Sequence, residues 1–203
     1  MKKPTLTTIL LVVLIILIVC LLITLVMMKF KEPKAIEVEK DFLHSILKPG
    51  VYKGIARYSP TKLYPNGLET TNDLTIHENK EENSYDYMNK LTAIDTTNKK
   101  IVYHGVRKGK YFYKPHHGKE VFLMAKSYID DKIVSSQYGI ATHQSKDSLA
   151  FTMDSSWHID EKEYKNASKV LTRNGDKLHI EMKHPSFLGI SELTLDESYE
   201  QVR

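Results

Sequence analysis

Between Thr5 and Met28 the chain reads TLTTILLVVLIILIVCLLITLVMM, a run of 24 residues without a charge. As a helix rising about 1.5 Å per residue it would be roughly 36 Å long, against a hydrocarbon core of about 30 Å. A cleaved signal peptide fits less well, because its apolar stretch is about 7 to 15 residues long and ends at a small-residue cleavage site. Lipid attachment at Cys20 meets a similar objection: Val19 precedes it and mainly apolar residues come after it. The sequence therefore predicts a short tail over 1–4, an uncleaved transmembrane helix over 5–28 and a charged connector over 29–40. The lipid bilayer is the first expected partner. Lys2 and Lys3 precede the run, and Lys29, Lys31 and Lys34 come after it, so basic residues flank both ends. The very short tail favours a signal anchor with a cytoplasmic N-terminus and an extracytoplasmic domain.

The rest of the chain is long enough for one domain with a real core. The whole chain carries 29 Lys and Arg against 25 Asp and Glu, and two of the lysines precede the run. That near balance argues against a nucleic-acid groove, which needs a concentrated basic face. The single cysteine is Cys20, so the domain over 41–203 has no disulfide. Asn166-Ala167-Ser168 is a glycosylation sequon, which matters only in a eukaryotic secretory route.

Pro33 stops the first helix soon after its apolar run ends. In DFLHSILKPG, Phe42, Leu43, Ile46 and Leu47 form one stripe of a short helix, with Asp41 placed to cap it and Pro49-Gly50 to end it. From Val51 the period changes to two. Tyr52, Gly54, Ala56 and Tyr58 share one face, while Val51, Lys53, Ile55 and Arg57 share the other. Further strand patterns occur around Leu74 and Ile76, in SYDYMNKLTAIDT, and in VFLMAKSYI, IVSSQYGIATH, SLAFTMD and ISELTLDESY. IVYHGVRKGKYFYK reads either as one strand bent near Gly105 to Gly109 or as a hairpin across them. HIDEKEYKNAS, residues 158–168, reads as a polar connector with at most a turn or two of helix. In KVLTRNGDKLHIEMKH, Asn174-Gly175 is expected to be the two-residue turn of a hairpin. Leu178, Ile180 and Met182 then face one way, and Lys177, His179, Glu181 and Lys183 the other. Eight to ten strands joined by short turns imply an all-β antiparallel meander that closes into a barrel or splits into a sandwich.

Gly50-Val51-Tyr52-Lys53-Gly54-Ile55-Ala56-Arg57 resembles the first strand of lipocalins, in the calycin superfamily. That strand comes after a short helical turn and carries Gly-x-Trp, often continuing Tyr-Glu-Ile-Ala-Arg. Gly50, Ile55, Ala56 and Arg57 match, and Tyr52 stands where the family has Trp. The family's Thr-Asp-Tyr motif is absent. No late arginine is evidently placed to pack on Tyr52, because Arg173 borders a turn and Arg203 is the terminus. The resemblance implies a lipocalin-like barrel over 41–203. Tyr52, Gly54, Ala56 and Tyr58 would line a ligand cavity if the small residues leave room beside the rings. The other reading is that Gly54 lets the strand coil around a solid interior.

Catalytic signatures are missing. No Gly-x-Ser-x-Gly elbow, phosphate-binding glycine loop or His-Glu-x-x-His occurs. His116 and His117 are adjacent and point opposite ways on an extended segment, and His104, His143, His158, His179 and His184 have no metal-ligand spacing. Asp130-Asp131 and the acidic run 160–163 read as turn and connector. Trp157 is either a core anchor or a ring at the barrel mouth. The sequence points to a non-enzymatic, membrane-anchored binding module for an apolar small molecule or lipid, with no cofactor and no metal. The alternative is a structural or assembly component of a membrane or envelope that binds another protein through the barrel surface. A void with a mouth favours the first, and a filled core with an exposed apolar patch favours the second.

Overall fold

Ten antiparallel strands carry the period-two pattern. They are β1 (Gly50–Tyr58), β2 (Leu68–Asn79), β3 (Ser84–Asp95), β4 (Ile101–Tyr113), β5 (Val121–Ile129), β6 (Lys132–Gln144), β7 (Ser148–Trp157), β8 (Lys162–Asn174), β9 (Lys177–Pro185) and β10 (Glu192–Gln201). Two helices precede them, α1 (Leu6–Lys29) and α2 (Lys40–Ile46). The computed structural model describes residues 6–29, 33–60, 64–157, 162–185 and 192–202. It divides into two units, Met1–Pro33 and Lys34–Arg203.

The first unit is α1, a 24-residue helix. Its side chains are described at residues 7 and 10–23 only, and all of these are exposed. Among the described residues no helix is long and apolar enough to cross a membrane.

In the second unit each strand pairs with its sequence neighbours, and β1 pairs with both β2 and β10, which closes the barrel. Closure removes every sheet edge and gives one inner and one outer face. The inner positions are those of Tyr52 and Ala56 on β1, Leu74 and Ile76 on β2, and Leu178, Ile180 and Met182 on β9, all buried. α2 closes one end. Leu43, Ile46 and Leu47 are buried there with Val38. Residues 34–39, assigned to the connector from sequence, are strapped across the same end. Ile36 N–H donates to the Ala141 carbonyl and Val38 N–H to that of Lys119, each at 2.9 Å. The chain therefore enters the barrel at its closed end. The opposite end is the mouth. Residues 61–63, 158–161 and 186–191, His158 among them, lie outside the described residues.

Several local expectations need correction. Asp41 does not cap α2: Glu39 holds the N-cap without a side-chain bond, and Asp41 sits in the first turn, where a carboxylate meets the positive end of the helix dipole. Residues 101–113 form one strand rather than a hairpin. The polar segment expected to connect strands is itself strand from Lys162. A register shift opposite Met153 and Ser155, with Asn166 at φ 55°, marks a bulge that breaks the alternation on which a sequence reading depends. The β8–β9 turn falls one residue later than expected, on Gly175-Asp176, because Asn174 still pairs with Lys177. Of these turn residues only Gly175 has positive φ.

Gly54 on β1 sits tightly against β10. A Cβ there would overlap the Ser198 carbonyl oxygen and lie 2.6 Å from the Tyr199 ring. Gly54→Ala should therefore destabilise the barrel by about 1 to 3 kcal/mol or more through overpacking. Urea denaturation of residues 34–203 reads this directly, and an unchanged midpoint would refute the close approach.

Candidate functional site

At the closed end, Tyr52 and Arg173 form a latch. The Arg173 guanidinium carbon lies 5.2 Å from the Tyr52 ring centroid. Its Nη2 donates to the Tyr52 hydroxyl at 3.0 Å and to the Ile46 carbonyl at 3.0 Å, and its Nε reaches the same carbonyl at 3.2 Å. The Tyr52 hydroxyl donates to the Lys48 carbonyl. Arg173 thus satisfies the α2 C-terminus and binds it to the first strand. This overturns the expectation that no late arginine meets Tyr52. Arg173 borders the turn in sequence, but its β8 position shares the inward parity of Leu171.

Above this apolar floor the interior becomes charged. Arg107 on β4 and Glu197 on β10 form a buried ion pair. The Tyr199 hydroxyl donates to Glu197 Oε2 at 3.2 Å and accepts from Asn89 Nδ2 at 2.8 Å. Lys169 on β8 is 1% exposed, and its ammonium lies 5.5 Å from the Tyr87 ring centroid and 5.3 Å from that of Tyr111. Burial, then the nearby Arg107 charge, pushes the Lys169 amine down to about 7, while Glu197 opposes the shift. Burial also works against the Arg107 charge, but Glu197 and the surrounding phenols outweigh it and hold that guanidinium firmly protonated. Burial raises Tyr87 to about 12, so the rings under the lysine stay neutral.

This layer is incompletely hydrogen-bonded. Among the described residues, Arg107 Nε, Asn72 Nδ2, Asn89 Oδ1, Tyr87 Oη and Gln137 Oε1 are buried without a partner. Orphaned buried polar atoms are uncommon, and each costs on the order of 1 to 3 kcal/mol unless water or a ligand completes it. Two small voids adjoin the layer. One of about 10 Å³ touches Arg107, Lys169, Glu197 and Tyr199. The other, of about 40 Å³, lies towards the mouth beside Tyr58, Tyr103, Arg107 and Gln137. Drug-sized ligands occupy about 300 to 1,000 Å³, so neither void holds one without displacing side chains.

The four residues singled out on β1 all face inward, but they do not form one site. Tyr52 belongs to the latch. The space beside Gly54 is taken by β10 and Tyr199. Ala56 is 1% exposed and sits in the packed core. Of the four, Tyr58 borders one of these two interior voids, and Gly54 lines an outer groove of about 940 Å³. His184 is fully buried, and desolvation lowers it to about 4, which keeps it neutral. His116 and His117 are exposed, and among the described residues no three His, Cys, Asp or Glu side chains are grouped to hold a metal ion. The Trp157 side chain lies outside the described residues.

No family model matches the chain, and no curated protein does. Solved structures do match. The crystal structure of Rv2717c from M. tuberculosis aligns with a TM-score of 0.55 at 11% identity, covering 83% of this chain and 100% of that one. EF1p2_mFAP2b bound to DFHBI aligns at 0.40 and 9%, covering 81% and 100%. The S-type phycobiliprotein lyase CPES from Guillardia theta aligns at 0.33 and 9%, covering 83% and 94%. The fold is a closed, lipocalin-like antiparallel barrel. At these identities the likeness is one of fold.

Lys169 has a measurable consequence. Its folded-state amine is held near 7, against about 10.4 when unfolded. Between these values the unfolded chain binds more protons, so this residue makes stability rise with pH across that window. Lys169→Met should be more stable than wild type by about 1 to 4 kcal/mol near neutral pH. The gap should close as pH approaches 10.5. Chemical denaturation from pH 6 to 10 measures both, and a destabilised or pH-parallel variant would contradict the buried, cation-disfavouring environment.

Proposed function

We propose that this chain is a membrane-anchored, non-enzymatic barrel that binds a small molecule in its mouth half, with a polar end of the ligand on the Arg107–Lys169 layer. One observation carries the reading: five buried polar atoms without partners surround a buried ion pair and a lysine. Burying such charges costs several kcal/mol per ion, and well-packed apolar residues hold a fold at least as well. A barrel with only a structural task has no use for them. The leftover donors on Arg107 and Asn72 suit an oxygen acceptor, and the leftover acceptors on Asn89 and Gln137 suit a hydroxyl or amide proton. Towards the mouth, Leu91, Met153, Met182 and Leu195 supply an apolar wall for the remainder of the ligand. The ligand favoured is therefore amphipathic rather than wholly apolar, and it enters by displacing side chains around the 40 Å³ void. The filled interior supports the second reading, an assembly component that uses its outer surface.

Residues 34–203 titrated with a dansyl-labelled undecanoic acid should show saturable fluorescence enhancement. Arg107→Met should weaken binding at least tenfold, whereas Lys132→Met on the outer rim should not. No saturable binding, or equal binding by Arg107→Met, would leave the structural reading in place.

The anchor rests on the uncharged run from Thr5 to Met28, whose length as a helix exceeds the hydrocarbon thickness. The full chain should remain with membranes on carbonate extraction, while residues 34–203 should be released. Release of the intact full chain would remove the anchor from the proposal.

A further inference from the structure

The outer wall of the barrel carries a groove of about 1,020 Å³, and the inward Tyr87 and Gln137 also border it. Alternation puts Met88, Lys108, Phe112, Met124 and Tyr138 of its lining on the outer face. Phe112 on β4 stacks on Phe122 of β5 with centroids 5.8 Å apart, and Phe122 meets Tyr138 of β6 at 5.9 Å. Next to this ladder Met124 is paired with Tyr138 across β5 and β6. Tyr138 is 52% exposed, Met124 46% and Met88 36%. Long apolar side chains this open, gathered in one concavity, mark an interaction site rather than scattered surface residues.

A second feature specifies what fits. Lys108 and Lys126 face each other in register on β4 and β5 at the far end of the groove. Like charges directly opposite destabilise a sheet. Among the described residues no ion pair relieves either lysine, whereas their neighbour Lys110 is paired with Glu82. Phe112 and Lys108 are four residues apart on one strand, about 13 Å at 3.3 Å per residue. The groove therefore presents an aromatic end and an end with two facing lysines separated by that length; between them Lys110 is paired with Glu82 and Asp86, and Asp154 also lines the groove.

We propose that the β4–β6 outer face docks a segment of a partner protein with bulky apolar side chains at one end and carboxylates about 13 Å away. The spacing corresponds to four residues of an extended chain or about nine of a helix. At about 1,020 Å³ the groove lies at the upper end of small-molecule pocket volumes, and it is open to solvent, which suits a chain segment. It is concave, so the same face of a second copy is a poor match. Its outward residues lie on the opposite side of the wall from Arg107 and Lys169, while Tyr87 and Gln137 border both the groove and the interior layer.

Phage-displayed 12-mers selected on the full chain in dodecyl maltoside, with depletion on Met124→Ser/Tyr138→Ser, test this. The expected outcome is a peptide family combining aromatic or aliphatic residues with Asp or Glu. By fluorescence anisotropy these peptides should bind Lys108→Gln/Lys126→Gln at least tenfold more weakly than wild type. Replacing their acids by amides should cost a similar factor. Both double variants change exposed side chains, so their thermal melts serve as the folding control. The proposal is overturned by the absence of any enriched family, by enriched peptides that bind the variants within twofold, or by peptides whose acids are dispensable. Displacement of the peptides by phosphatidylserine vesicles that do not themselves bind peptide would assign the face to a membrane and overturn it equally.

Discussion

Closure of β1 against β10 is the constraint on which the rest of the structure depends. β1 is nine residues long and bonds on both sides, to β2 and to β10. Without that second ladder the sheet would have two edges, and its inner face would open to water. Gly54 permits the approach by having no Cβ to meet the Ser198 carbonyl and the Tyr199 ring. Arg173 then ties β8 to Tyr52 on β1 and to the carbonyl end of α2, so strand closure and end closure share one residue.

The closed wall encloses two different environments. Near α2 the interior is apolar and filled, as a small barrel's interior ordinarily is. In the middle it is charged, with Arg107, Glu197 and Lys169 held among tyrosines and amides. In that setting an ion pair gains Coulomb energy but loses hydration, and a lysine without its own carboxylate loses more than it gains. The depressed Lys169 amine is the direct expression of that imbalance. Its position beside hydrogen-bonding atoms left over from the fold is what the proposed binding role rests on.

The same alternation that forms the interior also determines what the outside offers. On β4 the inward Arg107 and Tyr111 alternate with the outward Lys108 and Phe112, so one strand contributes to both the buried charge layer and the outer groove. A substitution on β4 therefore reports on one surface only when its parity is known.

The sequence by itself determined the apolar N-terminal run, the short helix over 41–47 and the strand periodicity, because these depend on neighbours a few residues apart. The inward placement of Tyr52, Ala56, Leu178 and Ile180 was legible for the same reason. The bulge at Asn166 was not, since one extra residue reverses the parity that a reader tracks. Arg107, Lys169, Arg173 and Glu197 were also missed. Charged residues are ordinarily assigned to water, so the shared parity of Lys169 with Leu171, or of Arg107 with Tyr111, was the only local signal of their burial. Which charges are buried together was decided by the tertiary structure alone. Arg107 and Glu197 are 90 positions apart, and only closure of the barrel brings them across one interior.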